Sequence, residues 1–155
     1  MKIGIGFDIH RFEKDRKFIL GSIEIPYSHG LIGHSDGDVL FHSLSDAILG
    51  SLGKPDIGFY FPDTDEKIKG IDSKKILQKV LTIMKKENCI IENIDVVIIC
   101  EKPKLSPYVP LIRKKISEII GIDEKNIGIK VKTYEGIGEI GKGNACACLS
   151  SVLIS

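Results

Sequence analysis

Three side chains dictate how the first strand and the first helix of this chain must meet. The run Lys2-Ile3-Gly4-Ile5-Gly6-Phe7-Asp8-Ile9-His10 alternates apolar residues with small or polar ones, the period of a strand. Asp8 and His10 stand two apart, so a strand carries both on one face. His42 falls in an amphipathic stretch, Val39 to Leu49, opened by Asp36-Gly37-Asp38, with Asp36 the expected N-cap. One carboxylate and two imidazoles suit Zn²⁺, and three protein ligands leave the fourth tetrahedral position for substrate or water. If the three act together, the strand must lie against the helix. Asp46, four residues beyond His42 on the same helix face, is expected to hold that imidazole in its metal-binding tautomer. Spacing alone leaves a rival open, because an Asp-x-His pair is weak evidence and a helix histidine is more often a packed one.

Composition bounds the rest. A chain of 155 residues is expected to form a single domain, 1–155, burying about 70% of its unfolded surface. With 22 basic and 21 acidic residues the net charge is +1, so no overall field selects nucleic acid or an anionic membrane surface. No apolar run approaches the ~18 residues of a spanning helix, and a start containing Asp8 and His10 does not fit a signal peptide. A soluble protein is expected, cytoplasmic in a bacterium, or plastid-borne if a transit peptide has been removed. Cys89, Cys100, Cys146 and Cys148 match no disulfide or zinc-ribbon spacing and read as reduced, buried thiols.

Strands and helices interleave without linker or repeat. A short hairpin is expected from Lys17 to Pro26, a helix from Gly37 to Leu52, and a second from Asp72-Ser73 to Glu87 with Ile76, Leu77, Val80, Leu81 and Met84 as its buried stripe. Ile90 to Cys100 reads as a strand, and its run Val96-Val97-Ile98-Ile99 predicts burial on both faces. A third helix spans Pro107 to Ile120, ended by Gly121, and strands follow at Ile127–Thr133 and Ala145–Ile154. The fold class is therefore α/β (α+β): a two-layer sandwich with a mixed β-sheet and helices on one face.

Polar residues gather in the connections. A loop as long as Gly53–Ile71 is unusual in a compact domain unless it is functional. Its Asp56, Asp63 and Asp65 suit a hard cation or substrate hydroxyls, or plain turn chemistry; the sequence is not a calcium loop, since Glu66-Lys67 follow Asp65. Lys102 and Lys104, where the chain leaves the sheet, suit phosphate or a solvated turn. Gly136-Ile137-Gly138-Glu139-Ile140-Gly141-Lys142-Gly143 mimics two nucleotide-binding motifs. It lacks the βα context both require, because Ala145-Cys146-Ala147-Cys148 alternates like a strand. A loop joining two strands is expected there.

Taken together, Gly6-Phe7-Asp8-Ile9-His10, Gly33-His34-Ser35-Asp36-Gly37-Asp38 with His42, Asp56-Ile57-Gly58, Phe61-Pro62-Asp63-Thr64-Asp65, Pro103-Lys104, Thr133 and Glu135 resemble the 2-C-methyl-D-erythritol 2,4-cyclodiphosphate synthase family, end to end and in order. The resemblance implies a lyase of the non-mevalonate isoprenoid pathway that cyclises 4-diphosphocytidyl-2-C-methyl-D-erythritol 2-phosphate and releases CMP. It implies homotrimers with active sites between subunits. Asp8, His10 and His42 then fall on ligands of Zn²⁺ or another divalent metal, and Glu135 on a ligand of Mg²⁺ or Mn²⁺ held with the substrate diphosphate. His34 and Thr133 fall on transition-state stabilisers. Substrate contacts fall on Asp8, Ile9 and His10, on His34 and Ser35, and on Asp56, Ile57, Gly58, Phe61, Pro62, Asp63, Thr64 and Asp65 around the methylerythritol. The cytidine pocket falls on Cys100, Glu101, Lys102, Pro103, Lys104, Leu105 and Ser106. Lys132, Thr133, Tyr134, Glu135, Glu139 and Lys142 complete the set.

This chain departs from the family pattern at Lys132, Tyr134 and Gly136, at Glu139 in place of an aromatic residue, and at Lys142 in place of Arg, whose bidentate fork Lys does not reproduce. Two rivals from other classes are a zinc-dependent phosphoesterase and a non-catalytic trimeric binding module with structural zinc. The first would use metal-bound hydroxide and the second a closed four-ligand site.

Overall fold

The computed structural model describes residues 1–62, 64 and 70–155. In chain order its elements are β1 (Lys2–Lys14), β2 (Phe18–Leu20), β3 (Ile23–Ile25), β4 (His29–Leu31), α1 (Val39–Ser51), α2 (Ile57–Tyr60) and α3 (Ser73–Lys86). There follow β5 (Ile91–Cys100), α4 (Val109–Ile120), β6 (Ile127–Lys132), α5 (Gly138–Gly141) and β7 (Ala145–Ile154). The alternation at the N-terminus thus becomes a strand that runs past His10 to Lys14. It pairs antiparallel with β7 from Lys2–Ile154 to Arg11–Ala145. β7 pairs antiparallel with β5, β5 pairs parallel with β6, and β4 adds to the far end of β1, giving the order β4-β1-β7-β5-β6. The sheet is mixed, as the sequence predicts.

β2 and β3 form the expected hairpin. Gly21 and Ser22 both have positive φ, 59° and 61°, a backbone whose twist matches the flanking strands. Asp38 lies beneath this turn. It accepts Gly21 N at 3.0 Å and Ser22 N at 2.7 Å, and also Leu40 N and Phe41 N at the start of α1. Asp38, not Asp36, is therefore the N-cap of α1. The two carboxylates are alike in sequence, and the tertiary position of the hairpin decides between them.

The long helices α1, α3 and α4 share one core with the inward residues of the sheet, among them Ile94, Val96, Ile98, Cys100, Cys148 and Val152. α1 sits close on β1 because two strand positions lack side chains. A Cβ on Gly4 would lie 1.8 Å from the Ala47 carbonyl oxygen, and one on Gly6 would lie 2.0 Å from that of Ser43. Ser43 Oγ also meets Ser150 Oγ of β7 at 2.7 Å. The other face of the sheet is barer. Val97 and Ile99 are half-buried rather than buried, which corrects the expectation for that run. Ile3, Ile5, Phe7 and Ile9 are 70%, 66%, 55% and 47% exposed. Among the described residues, the one-turn α5, inside what the sequence reads as a plain loop, covers part of this face, with Ile140 on Ala145, Ala147 and Ile99. Cys100, Cys146 and Cys148 are buried and Cys89 is half-buried, and burial pushes the Cys148 thiol up to about 12. Among the described residues no helix is long and apolar enough to cross a membrane.

Candidate metal centre and substrate cleft

Gly4 and Gly6 face successive turns of α1, so the next residues on that face of β1, Asp8 and His10, meet the helix nearer its N-terminal end. His42 stands there. His10 Nε2 lies 2.8 Å from Asp8 Oδ2, His42 Nδ1 lies 2.9 Å from the same oxygen, and the two ring nitrogens are 3.2 Å apart. In a tetrahedral site with bonds of ~2.0 Å, neighbouring ligand atoms stand about 3.3 Å apart, so this triangle accepts a small divalent cation with minor opening. Among the described residues it is the group whose ligand atoms converge closely enough to hold a metal ion.

The remaining ring nitrogens are secured. His10 Nδ1 donates to the Ile32 carbonyl, which leaves Nε2 for the metal. His42 Nε2 meets Ser35 Oγ and Ser73 Oγ, each at 2.9 Å. Asp46 does not orient His42, contrary to the expectation from helical spacing. Its Oδ1 instead accepts Ile57 N at 2.8 Å, tying α1 to the loop after it. Spacing put Asp46 on the right face of the helix, but the ring leans the other way, toward β1 and α3.

Electrostatics match a cation site. Burial would raise the Asp8 pKa, but hydrogen bonds and charge from His10 and His42 hold its carboxyl well below the usual range. Burial opposes the charged form of His10, yet the hydrogen bond and charge of Asp8 outweigh it and raise its pKa. Burial raises that of Asp46, with the Asp56 and Asp8 charges adding to the effect against the Ile57 N–H.

The triangle opens into a cleft of about 470 Å³. Its walls carry His34 and Ser35 from one motif, and Asp56, Ile57, Gly58 and Phe61 from the other. Asp56 caps α2 by accepting Phe59 N at 3.2 Å, which presents the start of that helix to the cleft. Ile9 points to the opposite face of β1. Pro62 and Thr64 are exposed nearby in sequence, while Asp63 and Asp65 lie outside the described residues.

The other expected site residues form a second group, at the ends of β5 and β6. Tyr134 N donates to Glu101 Oε2 at 3.0 Å, joining the Cys100–Ser106 and Lys132–Glu135 segments. Thr133 Oγ1 donates to Glu135 Oε1 at 2.6 Å. Lys142 Nζ and Asn144 Nδ2 both donate to Glu139, at 2.8 and 2.9 Å. Lys102, Lys104, Ser106 and Lys132 are exposed, Pro103 is half-buried and Leu105 is buried. None of this group lines the cleft that holds Asp8, His10 and His42.

Two residues at the centre escape a reading of the sequence. Ser73 looks like an ordinary first residue of a helix, and Asp36 like a cap. Only the bridge between Ser35 and Ile71 brings them to His42.

The family model described as the YgbB family matches residues 1–155. The 2-C-methyl-D-erythritol 2,4-cyclodiphosphate synthase of Alkaliphilus metalliredigens is 45% identical over 154 residues, 99% of this chain and 97% of that protein. The enzyme of the same name from Clostridium acetobutylicum is 47% identical over 154 residues, 99% of each chain. A solved structure of 2C-methyl-D-erythritol-2,4-cyclodiphosphate synthase in its CDP-bound form has a TM-score of 0.92 and 31% identity, covering 99% of this chain and all of the other. With the motifs, the fold and these relatives in agreement, the chain belongs to the YgbB family of 2-C-methyl-D-erythritol 2,4-cyclodiphosphate synthases.

Proposed function

We infer that this chain is a lyase that converts 4-diphosphocytidyl-2-C-methyl-D-erythritol 2-phosphate into 2-C-methyl-D-erythritol 2,4-cyclodiphosphate and CMP, in the non-mevalonate pathway. The observation that carries the reading is convergence. Residues of both sequence motifs, His34-Ser35 and Asp56-Ile57-Gly58 with Phe61, wall the one cleft into which Asp8, His10 and His42 open.

The substrate's 2-phosphate oxygen attacks the phosphorus attached to the methylerythritol, and the bond from that phosphorus to the CMP phosphate breaks. The nucleophile is already anionic at neutral pH, so no serine, cysteine or general base of the protein has to be activated. What opposes reaction is repulsion between phosphoryl groups and the entropy of ring closure. Zn²⁺ on Asp8, His10 and His42, and Mg²⁺ or Mn²⁺ on Glu135 with the diphosphate, supply charge neutralisation and polarisation of the phosphorus when bound. Asp56, Ile57 and Gly58 hold the methylerythritol end, and the family resemblance assigns Phe61, Pro62, Asp63, Thr64 and Asp65 to the same part of the substrate. The segment from Cys100 to Ser106 holds the cytidine, which clamps the substrate at both ends and confers proximity. His34, and Thr133 once its hydroxyl turns from Glu135, donate hydrogen bonds to charge on the transferring group, with Ser35, Lys132 and Tyr134 beside them. Glu139 and Lys142 neutralise one another at the margin.

The assembly is a homotrimer whose active sites lie between subunits, in the cytoplasm, with neither nucleic acid nor membrane as partner. What supports an assembly is the row Ile3, Ile5, Phe7 and Ile9, apolar and uncovered in a single chain. The separation of the Thr133–Glu135 group from the cleft supports completion by a neighbour. Light scattering on the purified protein should give three times the 17.1 kDa of one chain. The reaction is tested by incubating the protein with the cytidyl substrate, zinc and magnesium. CMP with the cyclic diphosphate is expected. Inorganic phosphate or a linear product would instead assign a zinc-dependent phosphoesterase.

A further inference from the structure

An imidazole ligates a metal through one nitrogen only when its proton sits on the other, and the group that accepts that proton sets both the tautomer and the aim of the ring. For His10 that group is the Ile32 carbonyl. For His42 it is a pair of hydroxyls, Ser35 Oγ and Ser73 Oγ, each 2.9 Å from Nε2. A hydroxyl is ambiguous, since it donates or accepts equally well. At Ser73 the ambiguity is removed. Its Oγ lies 2.5 Å from Asp36 Oδ1, and its backbone N–H reaches Asp36 Oδ2 at 3.2 Å. The single Ser73 proton goes to the carboxylate, the strongest acceptor in reach. The lone pairs of Ser73 are then left to accept Nε2–H of His42. Ser73 is fully buried, so water does not compete for this place.

Ser73 reaches His42 from a different part of the chain, at the start of α3, and is fixed there by backbone bonds. Asp36 N donates to the Ile71 carbonyl at 3.1 Å, and Gly70 N donates to that of His34 at 2.6 Å. We propose that Ser73 and Asp36 are a positioning pair for the metal centre, relaying an Asp36–Ser73–His42 hydrogen-bond chain that keeps the Nδ1 lone pair of His42 aimed at Asp8 and His10. Neither residue belongs to the converging group of Asp8, His10 and His42, and neither lines the cleft. The proposal rests on the metal reading of Asp8, His10 and His42, and adds the device that orders it.

The test is metal affinity of the full chain, measured by competition with a chromophoric chelator, together with the visible spectrum of the cobalt-substituted protein. Ser73→Ala leaves Ser35 Oγ as the remaining partner of His42 Nε2 and should weaken zinc binding about 10-fold, the lower end of the usual effect of losing a ligand's partner. It should also shift the cobalt bands as the ring loses its aim. Asp36→Asn should weaken binding in the same sense by a smaller factor. The double variant should bind no more weakly than Ser73→Ala alone, because both act through one hydrogen bond. Zinc affinity of Ser73→Ala within twofold of the parent with unchanged cobalt bands overturns the proposal, as does multiplication of the two effects in the double variant. Should Ser73→Ala fail to fold, Asp36→Asn carries the decision, and an unchanged affinity there overturns it. A parent protein that binds zinc yet releases no CMP would sink the reaction and not this pair. A parent that binds no zinc would sink both.

Discussion

The corner where β1 meets α1 and the loops at the ends of β5 and β6 hold two halves of one expected site, and they are built differently. At the corner every polar atom of the Asp8, His10 and His42 group has a partner, His42 is buried with Asp8 and His10 half-buried, and glycines fix the distance between strand and helix. At the loops, Thr133, Tyr134, Glu135, Glu139 and Lys142 are all exposed and bond chiefly to one another or to Glu101. The first half is organised by the chain's own core. The second carries its donors and acceptors on the surface. Positioning that comes from packing is present before substrate binds, and it is the less forgiving of change.

The most severe way to break this contrast is at its rigid half. His42→Ala should abolish metal binding and turnover while leaving the fold, read by metal analysis, CMP release and circular dichroism; wild-type CMP release in metal-free buffer would refute the assignment. At the exposed half, Thr133→Val should lower kcat roughly 10²–10³-fold, the scale for one donor to developing charge, and leave zinc content unchanged. Loss of zinc from that variant would erase the distinction between the halves. Gly6→Ala tests the packing itself. The added methyl lies 2.0 Å from the Ser43 carbonyl oxygen, so strand and helix must part, at about 1–3 kcal/mol in urea unfolding.

Acid gives the gentlest probe. The His10 pKa is raised, so below it metal binding has to displace a proton from the imidazole. Zinc affinity should be flat above it and fall about tenfold per pH unit below, by chelator competition. The sign for the metal-free fold is separate. The lowered Asp8 contributes stability above the ordinary carboxylate range, lost as pH falls through its folded value. The raised His10 contributes stability below its unfolded value, lost as pH rises through the folded one. Metal-free protein should therefore be held best by this pair in mildly acidic buffer, which a series of urea midpoints across pH would establish.

Period and parity carried most of the fold. A two-residue spacing put Asp8 and His10 on one face, and the apolar stripe of α3 lies buried where its spacing puts it. What escaped were choices between like residues that only distant parts of the chain resolve. Asp36 and Asp38 both suit a cap, and the Gly21-Ser22 turn decides for Asp38. Asp46 and Ser73 both lie within reach of a guess about His42, one by helix spacing and one by a bridge across the long loop. The bridge prevails, because which way a ring leans depends on what packs against it. Val97 and Ile99 are half-buried for a related reason, since an apolar run does not say what covers its second face.

The pairing of β1 with β7 has a consequence for biosynthesis. His10 lies in register opposite Cys146, so its neighbour in the ladder is translated long after it. Until β7 leaves the ribosome, β1 lacks its main hydrogen-bonded neighbour, and closing so long a stretch of polypeptide is slow. Cation loading at this centre is thus expected to be a post-translational event, and a nascent chain stalled before β7 to be both metal-free and prone to stick to its siblings through Ile3, Ile5 and Phe7.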